Sequence, residues 1–190
     1  MDSATRRTLD EVRSPDPDVR NPACAAVIEA TDRPVDWAYE AWDGVVSDLR
    51  HPDAHVRSIA AQLLCNLAKS DPERRILGDL PALLDLTHDA RFVTARHCLQ
   101  ALWKVGAAGP EQRAAYRDGL VRRFAGCRAA KNWSLIRYDI VQSLRNAYDA
   151  SGDESLRAAA QELIASESDA KYRKKYATVW KGWPPPTGPG

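Results

Sequence analysis

Nowhere does the 190-residue chain bring together the ~20 apolar residues that a membrane-spanning helix needs. It also lacks any run in which apolar and polar residues alternate, and this removes the half-buried strand as a building unit. Cysteine is sparse. Cys24, Cys65, Cys98 and Cys127 lie far apart, with no CxxC and no Cys/His pair at zinc spacing. Cys24 and Cys65 sit among apolar neighbours and read as small hydrophobes, which fits free thiols in a reducing compartment.

Catalytic signatures are missing as well. There is no G-x-S-x-G for a nucleophilic serine and no G-x-x-x-x-G-K-[ST] for a phosphate loop, and GAAGPEQ (106–112) reads as a helix-ending turn. His51 and His55 are four residues apart but a proline turn divides them, so these two, with His88 and His97, read as turn or surface residues. No metal and no cofactor is expected. The first residues, MDSATRRTLDEVR, are too polar for a secretory signal, so the expectation is a cytoplasmic protein with no membrane partner.

The net charge of +1 gives no general attraction to polyanions. Locally the balance is uneven. Residues 1–50 hold 6 basic and 11 acidic groups, residues 110–150 hold 8 and 4, and the last twenty hold 5 basic and none acidic.

What the chain does contain is a repeat. Asp16, Asp53, Asp89, Trp133 and Asp169 mark five frame origins separated by 37, 36, 44 and 36 residues. Three positions on stand Val19, Val56, Phe92, Ile136 and Tyr172, and four positions on stand Arg20, Arg57, Val93, Arg137 and Arg173. A period of about 35–45 residues is the mark of stacked supersecondary units. Each origin opens an amphipathic helix, because Asp is a favoured N-cap and the apolar spacing behind it is helical. A second amphipathic segment precedes each origin: Thr5–Val12, Trp37–Leu49, Arg74–Leu86, Gln112–Phe124 and Glu154–Ile164. The pattern predicts five antiparallel pairs, here named A and B helices.

Two stretches, VVSDLRHPDAHVRSIAAQLLCNLAK (45–69) and LPALLDLTHDARFVTARHCLQALWKVG (80–106), resemble the HEAT-repeat family. Pro81 stands where that family's A-helix proline would, and Asp-x-x-Val-Arg opens the B helix. The resemblance covers nearly the whole chain and implies an all-α, right-handed alpha-alpha superhelix over residues 1–183, with PPPTGPG (184–190) as a disordered Pro/Gly tail. A plain helical bundle is the competing architecture. In such stacks the Asp and Arg are structural, and the Arg pairs with the Asp of its own or a neighbouring repeat. Frame three lacks the Arg and frame four lacks the Asp, so the ladder should break between them.

The resemblance implies a module that holds a protein or peptide partner in a concave groove. Positions five, nine and twelve past each origin would line it: Asn21, Ser58, Gln62, Thr94, Cys98, Tyr138, Gln142, Arg145, Lys174 and Thr178. None is a carboxylate, which suits binding better than acid–base chemistry. The partner-binding set selected from them is Tyr138, Gln142, Arg145, Thr94, Gln62, Ser58 and Lys174, with Tyr138, Gln142 and Arg145 on one helical stripe.

The alternative is a nucleic-acid-acting protein resembling the HEAT-like DNA glycosylases that excise alkylated bases. That family's pattern sets a catalytic Asp one turn from a Trp, and here no Trp has an Asp four residues on. Asp139 lies six past Trp133, nearly across the helix. The basic-aromatic segment KYRKKYATVWKGW (171–183) could stack bases, or its aromatics could form the core face of a capping helix. The capping reading is the preferred one.

Overall fold

The computed structural model of the chain describes residues 1–181, which form helices and turns with no strand. The tail expected at 184–190, and Trp183, lie outside the described residues. In chain order the helices are α1 (Ser3–Glu11), α2 (Pro17–Ala30), α3 (Ala38–Asp48), α4 (Ala54–Leu67), α5 (Ile76–Leu86) and α6 (Phe92–Ala101). Then come α7 (Trp103–Ala108), α8 (Pro110–Gly126), α9 (Trp133–Ser151), α10 (Glu154–Ser166) and α11 (Ala170–Ala177). Short 3-10 turns follow α4 and α11.

The helices stack in two layers. The B layer runs α2, α4, α6 and α9, with α4 packed against both α2 and α6, and α6 against α9. In the A layer α8 packs against both α5 and α10. Pairs α1–α2, α3–α4, α5–α6, α8–α9 and α10–α11 join the layers, so the chain is an all-α solenoid of five helix pairs rather than a plain bundle. Trp42, Leu64, Ile76, Leu99, Leu120 and Ile140 are among the fully buried side chains of the core between the layers. Each amphipathic helix has one apolar stripe, and burying that stripe requires the next pair.

The Asp residues at the origins act as the sequence predicts. Asp16, Asp53 and Asp169 cap α2, α4 and α11, accepting the N–H of Asp18, His55 and Lys171 at 2.9, 2.8 and 2.8 Å. Asp89 accepts from the Arg91 N–H at 2.7 Å, one step before α6. The fourth origin has no such cap. Asn132 adopts a left-handed conformation (φ 61°) and α9 starts without a side-chain bond.

The long third interval is filled by helix rather than loop. The third B helix breaks at Leu102 and continues as α7, and Gly109 alone separates α7 from α8. The corner is tight enough that Gly106 lies against the Tyr116 ring, where a Cβ would stand 2.6 Å from a ring carbon.

Three of the four arginines four past an origin reach back over the turn before their own helix. Arg20 donates to the Ser14 and Pro15 carbonyls at 3.3 and 3.4 Å, Arg57 to those of His51 and Pro52 at 2.8 and 2.9 Å, and Arg173 to that of Glu167 at 3.0 Å. Arg57 also grips Asp89 of the next frame with two bonds, at 2.7 and 3.0 Å. Arg137 instead donates to Glu167, just before the fifth origin, at 2.6 Å. The break between frames three and four is present, since Val93 supplies no guanidinium and Trp133 no carboxylate. A further gap, not foreseen, separates frames one and two: Arg20 makes no bond to Asp53, and its buried Nε has no partner among the described residues.

Leu63 is 3% exposed on the core face of α4, so Leu63→Ala should cost about 2–5 kcal/mol in denaturant unfolding. Burial pushes the Asp89 carboxyl up, but the bonds from Arg57 and the Arg91 N–H outweigh it and hold its pKa below the ordinary value. The stability from this pair is therefore complete above about pH 4 and drains away as pH falls through the lower folded-state value. Asp89→Asn should cost about 2 kcal/mol at neutral pH and flatten that acid limb in pH-dependent melting.

Candidate binding face of the B-helix layer

One side of the B layer carries the core, and the other is open. On α4 the open side shows His55, Ile59 and Gln62, and on α6 it shows Val93, His97 and Gln100, both sets spaced at i, i+4 and i+7. Between the two helices lies a hollow of about 370 Å³, with Ile59, Phe92, Val93 and Ala54 as apolar wall and His55, His97 and Arg91 at its polar rim. A second hollow, of about 240 Å³, shares His97 and continues along Gln62, Asn66, Gln100 and Trp103.

Val93 is 62% exposed, the most exposed large apolar side chain among the described residues. Its position explains this. At the same frame position Arg57 folds back over the turn with its charge satisfied, whereas Val is too short to do so and stands in solvent beside the hollow.

The predicted partner-binding residues fall into two groups. Ser58 and Thr94 are not on the open face but between α4 and α6. Thr94 Oγ1 donates to the Ala54 carbonyl at 3.1 Å, and Ser58 Oγ shares a 2.7 Å hydrogen bond with His97 Nδ1. Five residues past the origin is thus the side on which one B helix meets the next, and only the edges of these residues reach the hollow. Gln62 is half-buried and donates to the Ser58 carbonyl at 3.1 Å, at the second hollow.

The other group lies around α9 and α11. Tyr138 is half-buried with Lys175 over its ring at 5.3 Å, and Gln142 donates to Asn146 at 2.9 Å. Arg145 differs from the expected groove residue. Its side chain is 12% exposed, bonds Asp149 at 2.7 Å and the Val179 carbonyl at 2.9 Å, and lies over Trp180. It ties the last turn to α9 because α9 is long enough to pass beneath that turn. Lys174 is exposed on α11.

The sequence pattern found no carboxylate along the inner positions, yet Asp139 is drawn in between α6 and α9. Arg96 holds both of its oxygens, at 2.6 and 3.0 Å, and the carboxylate is buried. An acid gripped in this way is a poor general base.

Cys24 and His55 make the closest approach to a nucleophile pair, with Sγ and Nε2 3.6 Å apart. Burial raises the Cys24 pKa more than Arg20 lowers it. Burial, then Arg20 and His97, lower that of His55 against the opposing pull of Asp53. Both shifts favour a neutral thiol beside a neutral imidazole, the opposite of a thiolate–imidazolium couple. No group of three His, Cys, Asp or Glu among the described residues is placed to hold a metal. The face can fill an apolar hollow and exchange neutral hydrogen bonds.

His55, Ile59, Val93 and His97 were not singled out for this face by the sequence pattern. The available signal was Val93, an apolar residue at the one position where every other frame has Arg.

No family model matches the chain, and neither does any curated protein. Solved structures do. Three engineered proteins whose crystal structures come from the Northeast Structural Genomics Consortium superpose on 94% of this chain. Their TM-scores are 0.59, 0.58 and 0.52, at 18, 16 and 15% identity, over 78, 80 and 57% of their own lengths. This likeness establishes the fold alone.

Cys24 should react with iodoacetamide more slowly than a free cysteine at neutral pH and gain rate only as pH rises above the ordinary thiol range, as read by mass spectrometry. Rapid labelling at neutral pH would mean an activated thiol.

Proposed function

We propose that the chain is a HEAT-type protein-binding module that holds a partner across the open face of its B helices. The observation that carries this reading is Val93, exposed at the mouth of an apolar hollow that no described residue fills. An apolar side chain of the partner enters between His55 and His97. Gln62 and Gln100, along the same two helices, meet the partner's backbone. Solenoids bind in this manner because successive repeats present their inner helices as one extended surface. No described helix is long and apolar enough to cross a membrane, and the hollow's wall is built for a side chain rather than a bilayer.

The glycosylase-like alternative has less support. Asp139 is held by Arg96, and the residues lining the hollow include one arginine, Arg91, and no lysine. Long-range attraction of a polyanion needs free cations along the groove.

A photo-crosslinking residue at Val93 should give a discrete protein adduct in cells, and the same residue at Arg117, an A-helix position, should give none. Val93→Asp combined with a crosslinker at Gln100 should lose the adduct while the melting curve is kept. An adduct that persists with Val93→Asp would refute the hollow as the docking point.

A further inference from the structure

Arg123 of α8 is 6% exposed and has no carboxylate partner among the described residues. Its Nε donates to Thr87 Oγ1 and its Nη2 to the Thr87 carbonyl, each at 3.0 Å. Thr87 stands two residues before the third origin, the position whose carbonyl is covered in frames one, two and five by the arginine four past the origin. Frame three has Val93 there instead, so Arg123 covers that carbonyl from the neighbouring A helix.

The substitution leaves a charge unanswered. In frame two the guanidinium at this position also grips the carboxylate at the next origin, Asp89. For Arg123 the next origin is Trp133, which has no carboxylate. A buried guanidinium cannot shed its proton, and an uncompensated buried charge is costly. Burial depresses the Arg123 pKa, and Cys127 is the one group that opposes it.

A cavity of about 170 Å³ occupies the missing position, between the turn before α6 and the turn before α9. Arg123, Thr87, His88, Lys131 and Asn132 line it. Lys131 is exposed and forms no ion pair among the described residues, and Asp89, which also borders the cavity, is engaged by Arg57. Arg122 and Arg123 line the adjoining cleft as well.

We propose that this cavity binds a phosphate group, free or carried as a phosphomonoester, with the Arg123 guanidinium as its deep partner and the Lys131 ammonium at its mouth. The anion takes the place of the absent carboxylate and completes the interrupted rung between the third and fourth repeats. Two cations favour a divalent oxyanion over a single carboxylate, and the guanidinium, its Nε and Nη2 already donating to Thr87, offers the anion its Nη1 side. The site is separate from the hollow between α4 and α6 and does not depend on it.

Thermal melting of the full chain in phosphate, acetate or chloride at one ionic strength tests this. Phosphate should raise Tm saturably and acetate should not. Lys131→Ala should weaken the apparent phosphate affinity roughly fivefold. Arg123→Met should abolish the phosphate response with the helical circular dichroism retained. Titration with O-phosphoserine separates the sources: binding as tight as inorganic phosphate points to an ester on a partner, and binding of inorganic phosphate alone points to the free ion. No saturable rise with phosphate, an equal rise with acetate, or an affinity unchanged by Lys131→Ala would overturn the proposal. The last outcome holds even if Arg123→Met fails to fold, because Lys131 is exposed.

Discussion

The turn that enters each inner helix leaves carbonyl groups with no helical partner, and a guanidinium four residues inside that helix reaches back to cover them. A buried carbonyl left unpaired would cost about 1–3 kcal/mol, so the reach is worth conserving from frame to frame. The Asp at the origin meanwhile accepts the N–H two residues on. Together the two side chains fix the angle at which chain enters helix. That angle decides which face of each B helix meets its neighbour. Once it is fixed, Val56 and Ile136 point into the core, Ser58 and Thr94 point along the layer, and His55 and Ile59 are left on the open side.

The surface changes character where this device lapses. Where Arg is replaced by Val93, the side chain no longer covers the turn and instead extends an apolar hollow into solvent. The same replacement draws Arg123 inward to serve the abandoned carbonyl. The absence of Asp at Trp133 leaves Arg123 without an anion and leaves α9 to begin from a left-handed Asn132. An open apolar hollow on one side and a buried guanidinium without a carboxylate on the edge thus follow from two departures in consecutive repeats.

Much of the fold was legible because its signals are local. Frame spacing, the Asp caps and the apolar stripes placed all five A helices and the starts of the B helices, α6 alone beginning three residues past its origin. The face was less legible for a geometric reason. Counting five positions past an origin names residues on one side of a helix in isolation, but in a layer that side is where helices touch, so Ser58 and Thr94 became wall. Arg145 was read as a groove residue because its binding of the Val179 carbonyl depends on how far α9 runs beneath α11, which no local pattern encodes. Arg123 was invisible for the same reason, since its role exists only relative to a turn 36 residues away.

The charge distribution acquires a different meaning once pairs are assigned. The acidic first fifty residues and the more basic 110–150 segment read in sequence as a gradient along the solenoid. In the folded chain much of that charge is consumed between elements: Asp48 by Arg13, Asp89 by Arg57, Asp139 by Arg96 and Glu167 by both Arg128 and Arg137. Burial normally pushes carboxylates toward protonation, yet Asp89 and Glu167 are held below their ordinary pKa because their guanidinium partners and backbone N–H donors outweigh it. The long-range field of the folded chain is set by the exposed cations, among them Lys131 and Lys174, rather than by the sequence average. These lie at the fourth and fifth repeats, whereas the apolar hollow lies at the second and third. Exposed cationic charge and exposed apolar surface are therefore carried by different repeats of the solenoid.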